Sequence, residues 1–215
     1  MNRVRASTGG TFAAAKQAME MGYGAQLAGG THHAHFDFGA GYCVFNDFAY
    51  TAHMLRENNL AQKIAVIDLD VHHGDGNASL LADKSFCFVL NMFGEKNYPL
   101  KKPDSDLDVA LKDHTSDSEF LALLEQVLPE VISFDPDIIL YQAGVDGLVK
   151  DRLGRLDLTF EGLKARDELV FNLAKAYEIP IVHVLGGGYS RPIDDTVTAY
   201  SNTFEKALEC FSILD

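Results

Sequence analysis

Residues Ile64 to Gly76 read IAVIDLDVHHGDG. Four apolar residues, three of them β-branched, run straight into three aspartates and two histidines. A short run that is apolar at every position fits a strand buried on both faces, which is how strands of a parallel sheet read. Ionisable groups packed at the end of such a strand are costly unless they are paired or used. The reading therefore predicts a buried strand with a chemical site at its carboxyl end.

The rest of the chain supports that architecture. Short β-rich runs at residues 26–28, 64–69, 86–91, 138–142 and 181–185 alternate with helical periodicity at residues 10–21, 45–57, 117–133, 160–177 and 193–211. This alternation is the signature of an α/β fold with a mostly parallel central sheet. Ser116 and Glu119 have capping-box spacing ahead of an amphipathic run, and Pro129 inside that run predicts a kink or a shortened helix. Residues 96–118 carry Pro99, Pro103 and a cluster of acidic and hydroxyl side chains and read as a long surface loop. The first candidate element is a helix beginning within ten residues of Met1, so the sheet is expected to lack a strand that a complete domain would supply.

At 215 residues and 47% hydrophobic content, residues 1–215 are expected to form one domain around one sizeable core. Cys43, Cys87 and Cys210 are odd in number and have no CxxC spacing, which argues against a disulfide framework or zinc ribbon and places the chain in a reducing, cytoplasmic setting. The N-terminus MNRVRASTGG has no apolar leader region, and no apolar run approaches the roughly 20 residues of a membrane span. A formal net charge of -13 argues against a nucleic-acid surface and suits a cationic or neutral substrate better.

Four polar clusters follow strand candidates: GGTHHAH (Gly29 to His35), Asp68 to Asp75, AGVD (Ala143 to Asp146) and GGGY (Gly186 to Tyr189). Open α/β sheets gather functional groups in the crevice beyond the strand carboxyl ends. In extended backbone, residues two apart share a side, so Asp70 and His72 can converge on one ion, with Asp146 a natural third ligand. Two carboxylates and an imidazole form a zinc-type set that leaves a fourth position open. The competing reading of Asp-x-His is a cap on the following helix. His32 and His33 need partners if buried, and Asp68 and Asp75 are at hand; a carboxylate behind an imidazole suits general acid–base work. Further metal ligation or a surface position is the alternative for this pair. Three glycines before Tyr189 let the backbone pass close to a site while presenting a phenol to a carbonyl or oxyanion. No phosphate-loop pattern is matched.

Taken in order, GGTHHAHFDFGAGYCVFND, VIDLDVHHGDGN, YQAGVDGL and LGGGY resemble the zinc-dependent histone deacetylase family, which has the arginase/deacetylase fold, and in particular its class IV and bacterial branch. The resemblance runs from about Gly29 to Tyr189. It implies a three-layer α/β sandwich and one zinc ion held by Asp70, His72 and Asp146, and it leaves room for a structural monovalent cation such as K+. It further implies that His33 is the general base and acid, that His32 acts electrostatically against Asp68, that Asp75 supports His33, and that Tyr189 polarises the acyl carbonyl. Tyr42, with Gly41 beside it, Tyr98 and Gly187 are implied to border an acyl-lysine tunnel, although simple packing of Tyr42 against Cys43 is the alternative for that residue. The implied reaction is hydrolysis of an acylated lysine or related amine.

The arginase branch uses two manganese ions and places aspartates where this chain has Gly74 and Leu148, so a mononuclear site is expected. Family members normally carry a further segment before the first helix. Its absence makes a zinc-holding, acyl-lysine-binding module with impaired turnover the alternative expectation.

Overall fold

A computed structural model describes residues 1–211. Six strands form one sheet: β1 (Tyr23–Gln26), β2 (Ile64–Asp68), β3 (Cys87–Gly94), β4 (Leu107–Leu111), β5 (Ile138–Gln142) and β6 (Ile181–Val184). Their order is β1-β6-β5-β2-β3-β4, and every pairing is parallel. Six helices complete the chain: α1 (Asn2–Met21), α2 (Asp47–Glu57), α3 (Asp75–Leu81), α4 (Asp117–Ser133), α5 (Phe160–Ala176) and α6 (Ile193–Phe211).

The apolar runs build three layers because successive side chains of a strand point to opposite faces. Ala65 and Ile67 of β2, with Ile139 and Tyr141 of β5, join one buried cluster with residues of α4, α5 and α6. Ile64 and Val66, with Ile138 and Leu140, join a second cluster with residues of α1, α2 and α3. Both faces of the central strands are therefore covered, as their uninterrupted apolar sequence requires.

Register positions the site. Asp68 at the end of β2 pairs with Gln142 of β5 and Asn91 of β3, Gln142 pairs with Val184 of β6, and Val184 pairs with Gln26 of β1. The tips of β1, β6, β5 and β2 are level, while β3 and its partner β4 run three residues further, so the segments that leave β1, β6, β5 and β2 start from one edge of the sheet.

Several elements differ from the sequence reading. The helix expected to begin at residue 10 begins at Asn2 and runs through Gly9 and Gly10; a Cβ at Gly10 would lie 1.9 Å from the Gln26 amide nitrogen, so the glycine lets α1 lie close over β1. Left-handed Gly22 ends the helix, and β1 follows at once, three residues earlier than expected. The segment 96–118 is not structureless: β4 adds an edge strand whose side chains alternate between exposed and partly buried. The seven-residue α3 was also absent from the sequence reading. Helix α4 runs unshortened through Pro129 over 17 residues and opens on the expected capping box, the Ser116 amide donating to Glu119 at 2.9 Å.

Candidate active site

Asp70 and His72 sit just past the tip of β2, and Asp146 just past the tip of β5. Each offers a ligand atom, and these three atoms lie within 4.8 Å of one another. All three residues are buried. His72 Nδ1 stands 2.9 Å from Asp146 Oδ2 and 3.1 Å from Asp70 Oδ1. Backbone amides hold the carboxylates in place: His72 N donates to Asp70 at 3.0 Å, Gly187 N to Asp70 at 2.6 Å and Val71 N to Asp146 at 3.0 Å. This approach is possible only with glycine, since a Cβ at Gly187 would fall 1.7 Å from Asp146 Oδ2, and one at Gly144 would fall 2.2 Å from Asp70 Oδ2. Gly187 thus backs the carboxylates, and its carbonyl accepts from Val145 N and from the Tyr200 hydroxyl.

The electrostatics of this trio are those of a cation site. Burial and the neighbouring Asp70 charge push Asp146 up to about 7. Burial also works against the charge on Asp70, yet the facing His32 and His72 hold it well below the usual carboxylate range. Burial disfavours charge on His72, but hydrogen bonds to Asp146 and Asp70 prevail and raise it to about 11. Two oxygens and one nitrogen, buried and turned to a common point, fit a divalent ion of the zinc type with three protein ligands.

Beside the trio, His32 Nδ1 meets Asp68 Oδ2 at 2.8 Å, and His33 Nδ1 meets Asp75 Oδ1 at 2.5 Å. The two rings are 4.0 Å apart and their environments differ. Burial opposes charge on His32, but Asp68 and Asp70 outweigh it and raise the imidazole to about 9. Burial, reinforced by the charge on His32, holds His33 below its ordinary value despite Asp75. A protonated imidazole therefore stands beside a neutral one, with their roles set by surroundings.

One cavity of about 390 Å³ reaches this cluster, and its lining includes His33, His72, Tyr42, Tyr98, Leu153 and Tyr189. Gly41 lines it too, in the left-handed region, where a Cβ would strike the His33 ring at 2.1 Å. Tyr98 stands edge-on to His33 at 4.9 Å. Tyr42 is 88% exposed, which removes the alternative of core packing; its backbone is left-handed at φ 66°, and its ring lies 6.3 Å from that of Tyr189. Burial, together with the charges of Asp70 and Asp146, pushes the Tyr189 phenol well above its usual range, so it is a donor at neutral pH.

Sequence reasoning missed the residues that brace this arrangement. His35 meets the other oxygen of the carboxylate that His33 holds, with Nε2 2.9 Å from Asp75 Oδ2, while its Nδ1 meets the Ser79 hydroxyl at 2.9 Å. Asp47, at the start of α2, accepts from the amides of Gly30 and Thr31 and from the hydroxyls of Thr11 and Thr31, pinning the loop that carries His32 and His33. Asp151 accepts from the amide of Tyr189 at 2.5 Å. Arg166, fully buried on α5, pairs with Asp167 and donates to the carbonyls of Leu69, Ala143 and Gly144, each adjacent or close in sequence to a ligand aspartate. The polar N-terminus of α2 was a usable signal for Asp47; an arginine on an amphipathic helix normally reads as solvated and gave none.

An all-parallel α/β sandwich that gathers polar side chains at its strand tips belongs to the broad class of open α/β folds with a site beyond the strand carboxyl ends. The histone deacetylase domain family matches residues 1–204, and the chain belongs to that family. An uncharacterized protein of Picosynechococcus sp. is 40% identical over 202 residues, covering 94% of this chain and 67% of that protein. Histone deacetylase 2 of Arabidopsis thaliana is 35% identical over 192 residues, covering 87% of this chain and 49% of its own. Acetoin utilization protein AcuC of Staphylococcus aureus is 36% identical over 183 residues, covering 77% and 46%. The chain thus spans about half the length of the latter two relatives. Among solved structures, acetylpolyamine aminohydrolase from Burkholderia pseudomallei shares the fold, with a TM-score of 0.81 at 23% identity over 95% of this chain and 62% of that one. The arginase/deacetylase-like architecture expected from the motifs is thereby established. Among the described residues, no helix is long and apolar enough to cross a membrane.

Proposed function

We propose that this chain is a zinc-dependent amidohydrolase that removes an acetyl or other acyl group from a lysine side chain or related amine. One observation carries the reading: His72 of the buried trio, His33 of one His–Asp pair and Tyr189 line one cavity, with Asp70 and Asp146 in contact with His72, Asp75 in contact with His33, and the His32–Asp68 pair alongside. In this reading Asp70, His72 and Asp146 hold the ion. When bound, zinc supplies Lewis acidity, polarising an amide carbonyl and bringing the pKa of water toward about 7.

The chain's own residues divide the remaining work. His33 is neutral at pH 7 and takes the proton from the attacking water on the ring nitrogen that Asp75 does not occupy. The resulting imidazolium gives that proton to the departing amine nitrogen as the carbon–nitrogen bond breaks, leaving a carboxylate and a free amine. Tyr189 donates to the oxyanion that develops on the former carbonyl. His32, raised by Asp68 and Asp70, contributes positive charge between them, 2.8 Å from Asp68 and 3.9 Å from Asp70. Tyr42, Tyr98 and Leu153 give the acyl-bearing chain apolar walls, and Gly41 lets the loop pass over His33.

The test is elemental analysis for zinc together with hydrolysis of an acetyl-lysine peptide. Tyr189→Phe and His33→Ala should each retain zinc and lose roughly 10²–10³ in kcat. Zinc-loaded protein that leaves a panel of acyl-lysines and acetylpolyamines intact would refute the reading.

A further inference from the structure

The net charge of -13 favours cationic ligands, but the mouth of the cavity is the reverse of the whole. Two segments contribute to its lining: residues 95–103, through Lys96, Asn97 and Tyr98, and residues 150–155, through Leu153 and Arg155. They hold Lys96, Lys101, Lys102, Lys150, Arg152 and Arg155, six of the chain's 18 basic residues, against only Glu95 and Asp151. Lys96 and Arg155 line the cavity itself.

The existing partners do not cancel this charge. Asp113 serves both Lys96, at 3.2 Å, and Arg155, at 3.0 and 2.7 Å, so one carboxylate faces two cations. Asp151 is turned inward and occupied by the amides of Leu153, Gly154 and Tyr189. Arg152 and Lys101 are exposed and have no ion pair among the described residues. Lys102 stiffens the first segment from within, donating to the carbonyls of Glu95, Asn97 and Pro99 at 3.1, 2.9 and 2.7 Å. Lys150 alone is matched singly, with Asp195 at 3.2 Å. Lys96 and Arg155 therefore bring positive charge to one side of a cavity that Tyr42, Tyr98, Leu153 and Tyr189 also line, and Lys101 and Arg152 add exposed charge on the same two segments, a partial rim of basic residues.

Resting on the function proposed above, we propose that this rim selects acyl-lysine carried by an acidic peptide segment, whose carboxylates meet Arg155, Lys96, Arg152 and Lys101 while the acylated side chain enters the cavity. A polyamine or a lysine-rich tail would bring like charge to the same rim and be disfavoured. Attraction at an exposed rim is modest and screened by salt, so the preference belongs to low ionic strength.

The experiment uses the full zinc-loaded chain and three acyl-lysine peptides of equal length with acidic, neutral and basic flanks, together with free Nε-acetyl-lysine. Binding is read by fluorescence anisotropy on labelled peptides with a ketone in place of the scissile amide, and hydrolysis on the parent peptides. At about 10 mM salt, where the Debye length is roughly 30 Å, the acidic peptide should bind about tenfold tighter than the basic one, and the gap should close to within about twofold near 1 M salt. The double variant Lys101→Glu/Arg152→Glu removes two cations that support no other contact and should reverse the order. Equal affinities, or tighter binding of the basic peptide, would overturn the proposal. Faster turnover of free Nε-acetyl-lysine than of the acidic peptide would overturn the peptide as the source of the carboxylate. Charge-selective binding without hydrolysis would sink the hydrolase reading and leave the rim standing; hydrolysis without charge preference would do the opposite.

Discussion

Replacing Gly187 by alanine isolates the geometry on which the metal reading rests. Gly187 needs no left-handed backbone, so the substitution adds only a methyl group. That methyl would sit 1.7 Å from Asp146 Oδ2, 2.5 Å from its Cγ and 3.0 Å from Asp70 Oδ2, whereas ordinary contact begins near 3.4 Å. Something must give by more than 1.5 Å, and the Gly187 backbone is held by its amide on Asp70 and its carbonyl on Val145 N and Tyr200. Asp146 is the group free to turn, which breaks its contacts with His72 and Val71 N. Overpacking of this kind costs about 1–3 kcal/mol of stability, small enough for the chain to fold. Disturbing the support of a ligand typically lowers metal affinity 10–100-fold, and displacing the ligand itself should reach or pass the upper figure. Competition with a zinc chelator measures the affinity, and circular dichroism checks the fold. Gly187→Ala that folds and keeps wild-type zinc affinity would show that Asp146 is not a ligand.

Further outcomes follow from the bracing residues. His35→Ala leaves Asp75 to His33 alone; the undivided carboxylate should make His33 more basic and move the acid limb of the kcat/KM profile to higher pH, and an unmoved limb would mean that His35 only packs. Asp75→Asn has the opposite sign, because the Asp75 charge raises His33: the acid limb should move to lower pH and the plateau should fall with the weaker base. Arg166→Met strips the charge from a fully buried pair and orphans the carbonyls of Leu69, Ala143 and Gly144, so urea denaturation should reveal a loss of about 3–5 kcal/mol; a loss under about 1 kcal/mol would mean water replaces the guanidinium.

The central strands were legible because a strand buried on both faces has no polar position to obscure it: β2 and β5 are apolar up to their tips, and their carboxyl-end clusters announced the site. The two motif histidines and their aspartates were legible because burial of an imidazole demands a partner and few candidates existed. Strand β4 was hidden, since Leu107 to Leu111 lie in a stretch rich in proline and aspartate and are drawn into the sheet by pairing with Leu90 to Gly94 and by the contact of His73 with Asp108. Helix α1 lacked a side-chain cap at Met1 and carries two glycines, so its first two turns gave no local signal. His35 and Arg166 escaped for a tertiary reason: each acts on groups that only the folded sheet brings near.

Level strand tips also tie coordination chemistry to cooperativity. Asp70 and His72 come from one strand end and Asp146 from its neighbour, so the chelate exists only when β2 and β5 are in register. An ion taken up there is bound by the native chain alone, and at a hundred times its dissociation constant it would add about 2.7 kcal/mol to the unfolding free energy. The melting temperature would then be a gauge of free metal.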